Sequence, residues 1–106
     1  MTFKVIISKQ AKADLEEIYE YIATTLLSPQ NAVGQLDRLE QKIMGLDQMP
    51  MRYKKYQMEP WQSRGLRIMP IDNFVVLYIP DEKTGIVTVI RVMYGGRDMK
   101  EQLEPE

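Results

Sequence analysis

The sequence contains no cysteine and no histidine. Without cysteine there is no disulfide framework, no thiolate nucleophile and no thiolate zinc site. Without histidine there is no Ser-His or Cys-His triad, no imidazole metal site and no general base of the usual kind. Any chemistry must run on Lys, Arg, Tyr, Ser, Asp or Glu, and neither a metal nor a cofactor is expected. No apolar run approaches the roughly 18 residues of a membrane helix, and the opening MTFKVIISKQ lacks a signal-peptide core and cleavage site. The expectation is a cytoplasmic protein without a membrane partner. Repeats, low-complexity tracts and linkers are also missing, so the 106 residues read as one domain.

Hydrophobic residues make up 44% of the chain and charged residues 27%, the balance of a folded globular protein rather than a disordered one. The net charge of −1 hides an uneven distribution. Residues 1–48 carry 5 Lys and Arg against 7 Asp and Glu; residues 49–100 carry 9 against 5; the closing EQLEPE carries three acids and no base. A basic second half points to an acidic or anionic partner. The alternative is a solvated surface with scattered charge.

Residues 2–7, TFKVII, read as a strand, and Ser8 as the N-cap of a helix over KQAKADLEEIYEYIATTLL. Ala11, Leu15, Ile18, Tyr19, Ile22 and Leu26 recur at three and four, giving one buried stripe. Ser28-Pro29 stops that helix and starts another, whose stripe is Ala32, Leu36, Leu39, Ile43 and Leu46. A tight turn between two amphipathic helices predicts an antiparallel hairpin. Met49-Pro50 ends it. Residues 51–63 have no period and read as a loop. Strands are predicted at 64–70, 73–79 and 86–94, the middle one nearly all apolar and so central and covered on both faces. The order is β-α-α-β-β-β. It predicts an α+β fold with the helical hairpin on one face of a small antiparallel sheet, followed by a polar tail at about 99–106.

The candidate chemistry is a basic set interleaved with aromatics: Arg52, Lys54, Lys55, Arg64, Arg67, Arg91 and Arg97 with Tyr53, Tyr56, Trp61 and Tyr94. Arginine forks hold phosphate, and rings stack on unpaired bases. On an open sheet face this set suits single-stranded RNA or a phosphoryl-transfer transition state. The competing reading makes Tyr53, Tyr56 and Trp61 the rim of the core. Arg91 interrupts an apolar strand; strict alternation puts it on one face with Val87, Val89 and Met93, which marks it as a functional or a paired arginine. Gly95-Gly96 beside it reads as a turn. Asp14, Glu16, Glu17 and Glu20 read as the solvated face of the first helix. The eight methionines read as gap-filling core.

Several stretches together resemble the RelE/ParE superfamily of bacterial type II toxin–antitoxin toxins. They are AKADLEEIYEYI, SPQNAVGQLDRLEQKIMGLDQMP, LRIMPIDNFVVLYIPDE and VTVIRVMYGGRD, and the likeness spans about residues 3–98. The Ala11, Asp14, Leu15, Ile18, Tyr21, Ile22 spacing and the closing Arg91, Val92, Gly95, Arg97, Asp98 pattern are most similar to the ParE side. The resemblance implies the α+β fold derived above and neutralisation by a cognate antitoxin. It leaves two targets. ParE-like members inhibit DNA gyrase, whereas RelE-like members cleave mRNA on the ribosome.

The ribonuclease branch carries an arginine within the central strand; the matching stretch here is Asn73–Tyr78, with Val75 near that place. A hydrophobic residue there cannot stabilise a phosphorane. The histidine of many members corresponds to Tyr94. If the chain is RelE-like, the resemblance leaves Arg67, Arg91 and Tyr94 as candidate catalytic residues, without a metal. Lys54, Lys55, Arg64 and Arg97 are candidate target-binding residues. The leading expectation is a ParE-like gyrase inhibitor. The alternatives are a ribosome-dependent mRNA endonuclease and a non-toxic interaction protein that keeps the fold.

Overall fold

The computed structural model describes residues 2–95 and Leu103; Arg97 and, apart from Leu103, the tail expected at about 99–106 lie outside the described residues. β1 spans Lys4–Ile7 and α1 Lys9–Glu20. A π-helical turn, Tyr21–Thr25, leads to α2, Pro29–Met44. Short 3₁₀ turns at Gly45–Asp47 and Pro50–Arg52 carry the chain to β2, Lys54–Lys55. β3 is Arg67–Ile71, β4 Phe74–Asp81 and β5 Ile86–Tyr94. The sheet order is β1-β5-β4-β3-β2. Among the described residues, no helix is long and apolar enough to cross a membrane.

The predicted hairpin of helices on a sheet is present. Strands β2 to β5 pair antiparallel, as consecutive strands do. β1 departs from the predicted antiparallel sheet: it joins β5 in parallel, Lys4 opposite Ile86 and Ile7 opposite Val89, which makes the sheet mixed. A parallel partner needs a long crossover, and here the whole hairpin and three strands intervene between β1 and β5. Nothing in the apolar pattern of TFKVII encodes which edge it joins.

Ser8 ends β1 and begins α1. Its hydroxyl accepts from the Ala11 amide at 3.0 Å, capping the helix, and donates to the Ile90 carbonyl at 3.0 Å. The first helix is shorter than its periodicity predicts. Beyond Glu20 the backbone loosens into the π-helical turn, and Leu27 closes it at φ 51°. Leu26, expected in the stripe, is therefore exposed, and Tyr19, within α1 itself, is also exposed at the edge of the stripe. Pro29 then sets the first turn of α2, with Ser28 at the N-cap position but without a side-chain cap bond. Ala32, Leu39 and Ile43 of α2 are fully buried.

The core has two parts. One lies between the helices and the sheet and includes Leu15, Leu39, Ile43, Met69, Val76, Tyr78, Val87 and Val92. The other covers the opposite face, where Tyr56, Leu66 and Leu103 pack on Val75, Leu77 and Met93. β4 is thus central and doubly covered, as its composition predicts. The sheet face opposite the helices is closed rather than open, because the 56–66 loop and Leu103 occupy it.

Tyr78 on β4 locks the second 3₁₀ segment after α2 to the sheet. Its fully buried hydroxyl donates to the Pro50 carbonyl at 2.6 Å, and the Tyr53 ring meets it edge-on. Burial pushes its pKa up from 10.0 to about 12, against an opposing pull from Arg67. Because the folded-state value lies above the unfolded one, this phenol favours folding below pH 10 and loses that contribution as pH rises towards 12. Tyr78→Phe should cost about 1–2 kcal/mol in urea denaturation at neutral pH, since a buried carbonyl loses its donor. The variant should also lose the late-ionising phenol in an alkaline absorbance titration.

Candidate functional site

β1 stops at Ile7, opposite Val89, so the last residues of β5 have no strand on that side. α1 takes over this edge. The Ser8 amide donates to the Val89 carbonyl at 3.0 Å. Two turns into α1, Asp14 presents its carboxylate. The Val92 amide donates to Oδ2 at 3.0 Å, and Arg91 donates through Nε to Oδ2 at 2.8 Å and through Nη2 to Oδ1 at 3.1 Å. Gln10 adds a bond to Oδ1 at 3.2 Å. Asp14 is only 4% exposed, and it is the one buried charged side chain among the described residues. A carboxylate so placed is tolerable because its lone pairs are filled and its charge is met by a two-pronged guanidinium. The hydrogen bond to Asp14 holds the Arg91 pKa above its ordinary value, against the opposing effect of burial.

β5 is irregular at this point. Its register against β4 shifts between Leu77 and Tyr78. Val87 and Val89 face the helices, but so does Val92, three residues on rather than two, while Met93 joins the opposite core. The expectation that Arg91 shares a face with Val87, Val89 and Met93 is therefore corrected: the bulge splits that set. Asp14 is corrected too. Glu16, Glu17 and Glu20 are exposed as expected, but Asp14 belongs to the interior. Asp14 was legible as the carboxylate between Ala11 and Ile18, spaced three and four, inside the apolar stripe.

Beside the pair lies an open groove of about 1480 Å³ between the tip of the helical hairpin and the end of the sheet. Tyr21, Leu26 and Leu27 form one wall, Phe74 and Tyr94 the other, and Asp14 and Arg91 also line it. Leu27 is 83% exposed and Tyr94 is half exposed, its ring edge-on to Phe74. Exposed apolar side chains gathered in one groove are the usual mark of a binding surface.

The other candidate residues lie elsewhere. Arg67 on β3 donates from Nη1 to the carbonyls of Met51 at 2.9 Å and Tyr53 at 2.7 Å, so its guanidinium braces the approach to β2. Arg91 and Tyr94 meet at the groove, whereas Arg67 lies across β4 with partners on the far side. Lys54 and Lys55 are exposed on β2, the outermost strand. Arg64 is exposed and stacks on Trp61 at 5.0 Å. Tyr56 is buried, and Tyr53 and Trp61 pack against the two cores.

The family model of the ParE toxin of type II toxin–antitoxin systems, parDE, matches residues 5–99. The chain belongs to that family. Three solved structures share its fold. A chain of the chromosomal ParDE system from P. aeruginosa superposes with a TM-score of 0.71 at 18% identity, covering 88% of this chain and 96% of that one. The RelBE2 toxin–antitoxin complex of Mycobacterium tuberculosis gives 0.66 at 19% identity, covering 89% and 99%. The archaeal RelE-RelB complex of Pyrococcus horikoshii gives 0.61 at 17% identity, covering 92% and 100%. No curated protein matches the sequence.

The Asp14–Arg91 pair generates a test by double-mutant cycle in urea denaturation. Asp14→Ala should cost about 3–5 kcal/mol, because it strands the Val92 amide and a partly buried guanidinium. Arg91→Ala should cost a comparable amount, because it leaves the carboxylate, whose side chain is 5% exposed, without its counter-charge. The double variant should be clearly more stable than the two single losses added together.

Proposed function

We propose that this ParE-family toxin arrests growth by inhibiting DNA gyrase through protein contact, and that a cognate antitoxin neutralises it by filling the groove at the hairpin tip. The observation that carries the reading is the separation of the two candidate catalytic arginines. Arg67 is committed to backbone carbonyls and Arg91 to Asp14, on opposite sides of β4. A phosphorane needs cations converging on one phosphate. The chain also has no histidine to move the proton, and Val75, at the place of the ribonuclease branch's arginine, is buried in the second core. The face that could have held single-stranded RNA is covered.

The groove supports the antitoxin reading. It offers Tyr21, Leu26, Leu27, Phe74 and Tyr94 to the apolar stripe of an amphipathic segment. The likeness to RelE structures keeps a second reading open to test, a ribosome-dependent endonuclease.

Two assays on the purified protein separate these readings. Gyrase supercoiling should be inhibited with accumulation of cleaved DNA, and Tyr94→Phe should leave that inhibition within about twofold of the native protein. Primer extension on a defined mRNA in a reconstituted translation reaction should show intact message. Ribosome-dependent cuts abolished by Arg67→Ala would reverse the assignment. For the antitoxin, Leu26→Asp/Leu27→Asp should weaken binding by tenfold or more in titration calorimetry while leaving the urea midpoint nearly unchanged, because both side chains are exposed in the free protein.

A further inference from the structure

A second surface lies on the opposite edge of the sheet from β1. Residues 51–70 carry five basic side chains and one acid, Glu59, in a chain whose net charge is −1. Folding gathers them. Arg52 closes the second 3₁₀ turn, Lys54 and Lys55 form β2, and Arg64 sits in the loop that returns to β3, where Leu66 accepts from the Tyr56 amide at 2.8 Å. All four side chains are exposed. Among the described residues none of the four is in an ion pair; the two ion pairs are Arg38–Asp72 and Arg91–Asp14. Glu59 is engaged by the amide and hydroxyl of Ser63.

Lysines on a short edge strand also keep a sheet from pairing with a foreign chain. That accounts for Lys54 and Lys55. It does not account for Arg52 and Arg64, which lie outside the strand and are held against rings, Arg52 at 5.0 Å from the Tyr53 centroid and Arg64 at 5.0 Å from that of Trp61. Stacking of this kind orients a guanidinium while leaving edge donors for phosphate oxygens; in Arg52 one of them, Nη1, already donates to the Gln48 carbonyl at 3.3 Å.

We infer that this basic edge binds the phosphate backbone of duplex DNA. The rings decide between nucleic-acid forms. Single strands are held by stacking unpaired bases on exposed aromatics, but Tyr56 is buried, Tyr53 packs into the first core and Trp61 lies between the second core and Arg64. What remains exposed is charge without a stacking platform, which suits a duplex whose bases stay paired. The choice of DNA rests on the gyrase reading above, since an inhibitor of that enzyme meets its DNA. The edge lies away from the groove assigned to the antitoxin.

The test is fluorescence anisotropy of the full chain with a labelled duplex DNA at low salt. Single-stranded DNA, duplex RNA of the same sequence and an oligoglutamate peptide are run in parallel. Four phosphate contacts predict that doubling the salt weakens binding about tenfold. Lys54→Glu/Lys55→Glu/Arg64→Glu should lose binding by tenfold or more with an unchanged urea midpoint. Lys4→Glu/Lys12→Glu/Lys83→Glu, the same charge change at exposed lysines elsewhere, should bind like the native chain to within about threefold. No binding to duplex DNA, equal loss in both triple variants, or tighter binding to single strands, duplex RNA or oligoglutamate would each overturn the inference. Gyrase inhibition is scored separately in the supercoiling assay, so its absence would count against the gyrase reading while the anisotropy result still decides DNA binding.

Discussion

One carboxylate organises the end of this fold. β1 is four residues long and leaves the second half of β5 without a neighbour, and an open sheet edge costs its unpaired amides. α1 meets that cost in two places, with Ser8 at its cap and Asp14 in its second turn. Asp14 takes the Val92 amide and Arg91 together, so the helix and the bulged strand hold each other. The bulge and the buried ion pair are parts of one arrangement. It sets where Tyr94 emerges at the sheet end, and hence one wall of the groove.

The same bond changes the meaning of Arg91. In the sequence it is a cation inside an apolar strand, and catalysis and pairing are equal explanations. In the structure its Nε and Nη2 are engaged by a buried partner, and the other cation lining the groove, Arg38, is ion-paired to Asp72. Arg67 is committed in the opposite direction, to the carbonyls ahead of β2. Two arginines that composition groups together are separated by β4. A groove lined by leucines and tyrosines is chemistry for docking a chain, which is what a neutralising partner requires.

The helices, the order of β3 to β5 and the burial of β4 were legible in the sequence, because a 3.6-residue stripe and an unbroken apolar strand leave few alternatives. Three features were not. The parallel placement of β1 depends on which edge is vacant, a property of the finished sheet. The bulge opposite Leu77 and Tyr78 breaks the alternation on which the facing of Arg91 was read. The π-helical turn releases Leu26 from the stripe, turning predicted core into exposed surface. Asp14 was visible in principle, since its spacing from Ala11 and Ile18 puts it among residues that become buried. Reading all four acids of α1 as one solvated face hid it.

Charge is unevenly spread over the folded chain. α1 and α2 present both signs to solvent, Glu16, Glu17, Glu20 and Glu40 beside Lys9, Lys12, Arg38 and Lys42, while the β2 edge presents cations. A weakly acidic protein with a concentrated basic edge is repelled by polyanions in most orientations and attracted in one. Such a distribution gives weak affinity in isolation and strong orientation where another surface supplies the rest of the binding. Under the gyrase inhibition proposed above, the DNA-bound enzyme would supply that other surface. An acidic overall composition and a basic edge are therefore compatible, because orientation depends on where the cations lie and not on their excess over the whole chain.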